Sequence, residues 1–224
     1  MKLLYLFFLF PLSFFTQEEI TSFYFGEPQP KQISNTTHFD STICGVYYLQ
    51  NDSLTRLVIT PDSIFTRHSV FFVLTKKEMR KSKGKYYLEN DKLYGIVDNQ
   101  GLTASVRNDT TYAIYNQEDL YFKPTPTNPL RKHGNAYFLS EKTENNYYEV
   151  YLIYPIKKGI LIYSIDHEKA MPQIREITHL DSLQLNSFKT YIAYPSLKEM
   201  NLLIQNKGFK DVTLYYKPEY FTYE

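Results

Sequence analysis

The chain has 224 residues, and its 25 Lys and Arg against 24 Asp and Glu leave a formal net charge of +1 at pH 7. This length is sufficient to bury a substantial core, and the balanced charge excludes the basic excess that is typical of nucleic-acid-binding proteins. Aromatic residues make up 17% of the sequence, with 22 Tyr, 16 Phe and no Trp. Because Tyr and Phe favour pleated, half-buried surfaces, the composition predicts a mainly β protein.

The first 16 residues have the composition of a secretory signal peptide. Lys2 precedes an apolar run at residues 3–15, and polar residues begin at Gln17. The run is short for a bilayer span, so we predict cleavage near Gln17, with an uncleaved membrane anchor as the alternative. No later run has transmembrane length. The sequence therefore predicts an exported protein, located in the periplasm, on the outer surface or in the medium.

Residues 17–44 contain Pro28 and Pro30 without sustained periodicity, and we predict an extended lead-in there. Cys44 is the only cysteine, which excludes an intramolecular disulfide and favours a small buried side chain. Residues 45–123 are predicted to form a β-rich N-terminal lobe. Its predicted strands are 46–50, 54–60, 64–68, 70–74, 93–97, 102–106 and 112–115. A capping box at Thr75 and Glu78 predicts a short helix at 76–82.

The stretch 86–124 is predicted to be an antiparallel meander of four short strands. Polar turns are expected at residues 90–91, 98–101, 107–110 and 116–119, with Gly101 in a left-handed conformation. Turn signals that recur about every 8–12 residues are typical of a sandwich or barrel wall. The predicted fold class is therefore mainly β, an antiparallel meander in a sandwich or barrel-like arrangement, with one C-terminal helix.

Three prolines at 124, 126 and 129 favour extended geometry, so residues 124–133 are predicted as a linker. Residues 134–224 form the predicted C-terminal lobe, for which an α+β arrangement is the alternative. Its predicted strands are 135–139, 147–154, 159–165, 176–180 and 212–217, with a hairpin at 140–146 and a polar turn at 166–168. A capping box at Ser196 and Glu199 predicts a helix at 197–207 that ends at a left-handed Gly208.

Five Asp residues are each followed by a hydroxyl side chain, and the hydroxyls belong to Ser41, Ser53, Ser63, Thr110 and Ser182. The three-residue pattern resembles the O-glycosylation acceptor motif of periplasmic and surface proteins in the Bacteroidetes. This resemblance implies an exported glycoprotein with these five candidate acceptors. Because Asp-Ser and Asp-Thr are also good turn and capping pairs, a purely structural role is the alternative.

No constellation of catalytic or metal-binding residues stands out in the sequence. The five His residues do not pair at metal-ligand spacing, and no Gly-x-Ser-x-Gly motif is present. We therefore predict no catalytic, metal or cofactor site. Glu141 and Glu144 are candidate paired carboxylates, for which solvated charge in a hairpin loop is the alternative.

Adjacent tyrosines are the remaining candidates for binding. Neighbouring residues of a strand point to opposite faces, so one ring of each pair can point outward and contact a partner protein or a sugar. Packing on the sheet is the alternative. The candidate partner-binding residues are Tyr86, Tyr87, Tyr147 and Tyr148.

Three functional hypotheses follow. The first is a non-enzymatic, exported protein of the bacterial envelope that binds a protein or a glycan. The second is a lipocalin-like carrier, in which the meander surrounds a small apolar ligand. The third is a hydrolase whose catalytic residues are dispersed in the sequence.

The export hypothesis predicts that the native chain, recovered from the cell envelope, begins near Gln17. Intact-mass spectrometry measures this directly. Recovery of an unprocessed chain that starts at Met1 in the membrane fraction would favour the uncleaved anchor instead.

Overall fold

The computed structural model describes residues 21–98, 100–185, 188–206 and 208–221, so the signal peptide predicted at 1–16 lies outside the described residues. Sixteen strands and three α-helices follow one another within these described residues. The strands are β1 (Thr21–Phe25), β2 (Asn35–Thr36), β3 (Gly45–Leu49), β4 (Asp52–Ile59), β5 (Ile64–Thr75), β6 (Tyr87–Glu89), β7 (Lys92–Val97), β8 (Gln100–Arg107), β9 (Thr110–Phe122), β10 (Leu130–His133), β11 (Ala136–Lys142), β12 (Tyr148–Ile156), β13 (Gly159–Ser164), β14 (Leu180–Leu185), β15 (Phe188–Ala193) and β16 (Asp211–Tyr216). The helices are α1 (Lys76–Lys81), α2 (His167–Ile177) and α3 (Leu197–Gln205), and a 3-10 turn covers Pro218–Tyr220.

The strands form one large sheet, which confirms the mainly β prediction. Its main path runs β14-β15-β1-β12-β13-β16-β3-β4-β5-β9-β8-β7-β6, and β11, β10 and β2 branch from β12. The pairs are antiparallel except β1 with β15, which run parallel. The strands beyond residue 134 join the earlier strands at three places, where β1 lies between β12 and β15, where β10 pairs with β11, and where β16 pairs with β3.

The meander contains the four predicted strands, but its longest strand was predicted wrongly. Residues 116–119 continue β9 and do not form a turn, because Asn116 and Glu118 pair across the ladder with Ser69 and Arg67 of β5. Likewise, the strands predicted at 64–68 and 70–74 are one continuous strand, β5.

The two-residue hairpin turns are confirmed. Asn90 and Asp91 have φ of 49° and 57°, and Asn108 and Asp109 have φ of 47° and 58°, as a primed turn requires. Gly101 is not left-handed. Its close approach is to the ring of Tyr94, where a Cβ would lie 2.6 Å from Cζ.

The predicted lead-in and linker both contribute strands. β1 lies between β15 and β12, and Phe25 is buried. The last four residues of the predicted linker form β10, which pairs with β11 and β2. The side chain of Leu130 in β10 is fully buried.

The helices differ from the prediction in one respect. α2 replaces the turn predicted at 166–168 and the strand predicted at 176–180, since Asp166 caps the helix and strand β14 begins only at Leu180. α2 contains Pro172, and a proline inside a segment is normally evidence against a helix. Both predicted capping boxes are confirmed, at Thr75 and at Ser196. Gly208 is not left-handed, but its N–H donates to the carbonyl of Leu203 at 2.7 Å.

Three hydrophobic clusters fill the described residues. The first contains residues that precede, belong to and follow the segment 124–133 in the sequence, including Leu57, Ile64, Leu130, Tyr137 and Ile153. The second lies beneath α2 and α3 and includes Phe138, Leu152, Ile174, Met200 and Leu203. The third is small and centres on Leu93, Leu102 and Ala113.

The burial of Leu130 predicts that Leu130→Ala lowers the free energy of unfolding by about 2–5 kcal/mol, because it leaves a cavity in the first cluster. Urea denaturation followed by circular dichroism measures the change. Leu120→Ala is the matched control, since the Leu120 side chain is 58% exposed and its truncation should change stability little. Equal effects of the two substitutions would contradict the packing of β10.

Candidate functional site

Strands β5 and β9 pair over nearly their whole length, and we call this long pair within the sheet the ribbon. Their register runs from the pair Ile64 and Phe122 to the pair Thr75 and Thr110. Because side chains alternate between the faces of a strand, every second pair lies on the same face. Along one face these pairs are Phe65 with Leu120, Arg67 with Glu118, Ser69 with Asn116, Phe71 with Ile114 and Val73 with Tyr112.

The side chains in the middle of this face are polar and form hydrogen bonds with one another. The Nε of Arg67 donates to Oε2 of Glu118 at 3.0 Å, so the two opposite charges neutralise each other. Beside them, the hydroxyl of Ser69 donates to Oδ1 of Asn116 at 2.7 Å. These contacts leave no unpaired charge in the middle of the face.

The outer part of the same face is apolar and exposed. We call Phe71, Val73, Tyr112 and Ile114 the ribbon face; their exposed fractions are 55%, 55%, 43% and 44%. The two cross-strand pairs each join an aromatic side chain to a β-branched one. On the neighbouring strand β8, the residue opposite Tyr112 is Ser105, which is too small to cover it.

The opposite face of the ribbon is packed. Phe72, Leu74 and Tyr115 lie against the third cluster, whose buried members are Leu93, Leu102 and Ala113. On this face Val70 is the exception, since it is 43% exposed; the four side chains of the ribbon face are all presented to solvent. A contiguous exposed apolar patch of this kind is typical of an interaction surface.

Two of the candidate tyrosines pack against hydrophobic clusters, and the other two stack on neighbouring tyrosines. Tyr86 packs against the third cluster, whereas Tyr87 is exposed and stacks on Tyr94 with ring centroids 5.1 Å apart. Tyr148 packs against the second cluster, and Tyr147 stacks on Tyr24 at 6.4 Å. The two pairs lie in different parts of the sheet, so the structure does not bring them together in one site.

A pair of carboxylates occurs on strands β11 and β12. Glu141 faces Glu149 directly across the strands, whereas Glu144 lies in the hairpin loop. Burial, and then the charge of Glu149, raise the pKa of Glu141. Sequence reasoning missed Glu149, because the residue opposite Glu141 depends on the length of the loop at 143–147.

Two tyrosines, Tyr24 and Tyr151, lie near this pair. The hydroxyl of Tyr151 donates to Oε2 of Glu149 at 2.8 Å, and burial followed by this hydrogen bond raises the pKa of Tyr151. A surface cleft of about 450 Å³ is lined by Tyr24, Glu141, Glu144 and Glu149, among others. The carboxylates can accept hydrogen bonds from hydroxyl or ammonium groups.

The candidate glycosylation hydroxyls have different environments. Ser41 and Ser182 are exposed, Ser53 and Thr110 are half-buried, and Ser63 is buried beside the hydroxyl of Thr60. Two of the preceding aspartates have turn roles: Asp52 accepts from the N–H of Leu54, and Asp109 occupies the β8–β9 turn. Glycosylation of these residues stays a prediction.

Groups suited to metal chemistry do not gather within the part of the chain that the structure describes. Among those residues, no three His, Cys, Asp or Glu side chains are placed to share a metal ion. The half-buried thiol of Cys44 packs against the first cluster and donates to the carbonyl of Asp40 at 3.4 Å, and burial raises its pKa.

No protein-family model, curated protein or solved structure matches this chain. None of the helices among the described residues has the length and apolar character needed to cross a membrane.

The facing carboxylates predict that Glu141→Gln raises the free energy of unfolding at pH 7 by about 0.2–1 kcal/mol, because like charges directly opposite each other destabilise a sheet. The raised pKa of Glu141 means that the folded state holds its proton more tightly than the unfolded chain does. The penalty is therefore absent at low pH and develops as the pH rises through the folded-state pKa.

Urea denaturation at pH 7 and near pH 3 tests this prediction, with Glu144→Gln in the loop as the control. We expect the gain only for Glu141→Gln and only at pH 7. A gain of the same size at both pH values would show that charge repulsion is not the cause.

Proposed function

We propose that this chain is a non-enzymatic, exported protein of the bacterial envelope that binds a protein partner through the ribbon face. The observation that carries the proposal is the exposure of two adjacent apolar cross-strand pairs, Phe71 with Ile114 and Val73 with Tyr112. Export rests on the signal peptide predicted from the sequence.

The chemistry of the face favours an apolar, uncharged protein surface as the partner. Arg67 and Glu118 neutralise each other at its border, so neither charge selects an oppositely charged partner. Three of the four side chains are hydrocarbon, which suits burial against another apolar surface. The hydroxyl of Tyr112 is the one side-chain group of the ribbon face that can form a hydrogen bond with a sugar, so we favour a protein over a glycan.

The packing of the meander argues against the carrier hypothesis. A carrier would need a cavity lined by the inward side chains of the meander. Leu93, Leu102 and Ala113 are instead buried against one another and against neighbouring side chains. For the hydrolase hypothesis, Glu141 and Glu149 are a candidate pair of carboxylates, and the hydrogen bond from Tyr151 to Glu149 gives the pair a structural explanation.

Site-specific photo-crosslinking in intact cells tests the proposal. A benzophenone amino acid placed at Tyr112 should give one protein adduct of defined mass. Ile114→Thr in the same chain should reduce the yield about tenfold, since burying an Ile side chain contributes roughly 1.5–3 kcal/mol. Thr retains the β-branched shape that a strand favours.

The matched control is the same amino acid at Tyr154, which is similarly exposed but lies on β12. The proposal predicts no corresponding adduct from this position. The same adducts from both positions, or a yield that Ile114→Thr leaves unchanged, would contradict it.

A further inference from the structure

The two edges of β5 are unequally covered. Strand β9 pairs with β5 along its whole length, whereas β4 pairs with it only from Ile64 to His68. Within the described part of the chain, no strand pairs with the outer edge of residues 69–75. This stretch of β5 is therefore an edge to which no described strand is paired, beside β9.

A local hydrogen-bond network lies where the pairing of β4 with β5 ends. The carboxylate of Asp52 accepts from the N–H of Leu54 and from the hydroxyl of Thr55, at 2.9 and 2.6 Å. These bonds hold the start of β4 in an Asx turn. Going along the chain, β4 therefore begins to pair with β5 at Thr55, which lies opposite His68.

The alternation of hydrogen bonds along the β5–β9 ladder identifies the backbone groups of β5 that are not bonded to β9. The N–H of Lys76 donates to the carbonyl of Asp109, so Thr75 and Thr110 form a non-hydrogen-bonded pair. Hydrogen-bonded and non-hydrogen-bonded pairs alternate in an antiparallel ladder. The N–H and C=O groups of Phe71 and Val73 consequently point away from β9, toward the uncovered edge.

This edge lacks the usual protection against strand pairing. Natural edge strands carry charges, prolines or bulges. Residues 69–75 read Ser-Val-Phe-Phe-Val-Leu-Thr, with no charge and no proline. The helix that follows is held on the β9 side, because Lys76 contacts both the carbonyl and the carboxylate of Asp109.

We propose that residues 69–75 pair antiparallel with the same residues of a second copy of this chain, about a two-fold axis at Phe72. In this register Phe71 faces the partner subunit's Val73, and each such pair exchanges both main-chain hydrogen bonds. The phase of β5 permits this register, since Phe71 and Val73 are the residues whose backbone groups are free.

The side chains suit self-pairing as well. The register places Phe71 beside a Val side chain, an aromatic and β-branched pair like the one that Val73 makes with Tyr112. An uncharged segment brings no like charges together when it pairs with its own copy. Self-association uses the edge of β5 and goes beyond the proposed function, which uses the ribbon face; the dimer would place two ribbon faces side by side.

Disulfide trapping tests the register. In a Cys44→Ser background, Phe72→Cys should form an intermolecular disulfide under mild oxidation, because facing residues of a non-hydrogen-bonded pair have Cα atoms roughly 4.5 Å apart, within the range that a disulfide spans. Val70→Cys is the control. Its two copies would lie roughly 13 Å apart in this register and should not form a disulfide.

Sedimentation equilibrium of the unmodified chain gives a second, independent readout. We expect a monomer–dimer equilibrium, with Val73→Lys raising the dimer dissociation constant at least about tenfold, because a Lys on an edge strand opposes pairing. Folding of each variant is checked by circular dichroism.

A chain that stays monomeric up to about 100 μM, a concentration that would reveal weak self-association, would overturn the proposal. Disulfide formation that is no faster at position 72 than at position 70 would also overturn it. Neither result bears on the Tyr112 adduct, so failure of self-association and failure of partner binding are distinguishable.

Discussion

The ladder between β5 and β9 is the constraint on which the rest of the structure depends. Its lower part, near Ile64 and Phe122, is packed into the first hydrophobic cluster together with Leu57 and Tyr137. Its upper part is followed by α1 and continues through β8 into β7 and β6, where Leu93 and Leu102 pack in the third cluster with Phe72 and Leu74. Because one register fixes both parts, a slip of one residue would exchange the buried and exposed faces along the ribbon.

The upper ribbon differs from an ordinary surface strand in both its face and its edge. Phe71 and Val73 expose apolar side chains on the face, and their backbone groups point to an uncovered edge. Solvent-exposed apolar surface and unpaired strand groups both favour association. Their coincidence on the same residues is the physical basis for proposing a binding protein with no catalytic role.

Much of the fold could be predicted from the sequence, but the ribbon face could not. Short-range signals, such as the capping boxes at Thr75 and Ser196 and the turn at Asn108, predicted local structure correctly. Residues 116–119 misled the prediction, because their polar side chains match a turn unless the opposite strand is known. The exposure of Ile114 and the facing of Glu141 and Glu149 depend on long-range register, which composition and spacing do not determine.

Residue-resolved amide hydrogen exchange along β5, at a concentration too low for self-association, tests the central claim most directly. The structure predicts alternation: slow exchange at Val70, Phe72 and Leu74, whose N–H groups point to β9, and fast exchange at Phe71 and Val73. Uniform protection of all five amides would contradict the open edge, because it would mean that a further strand or segment covers it in the single chain.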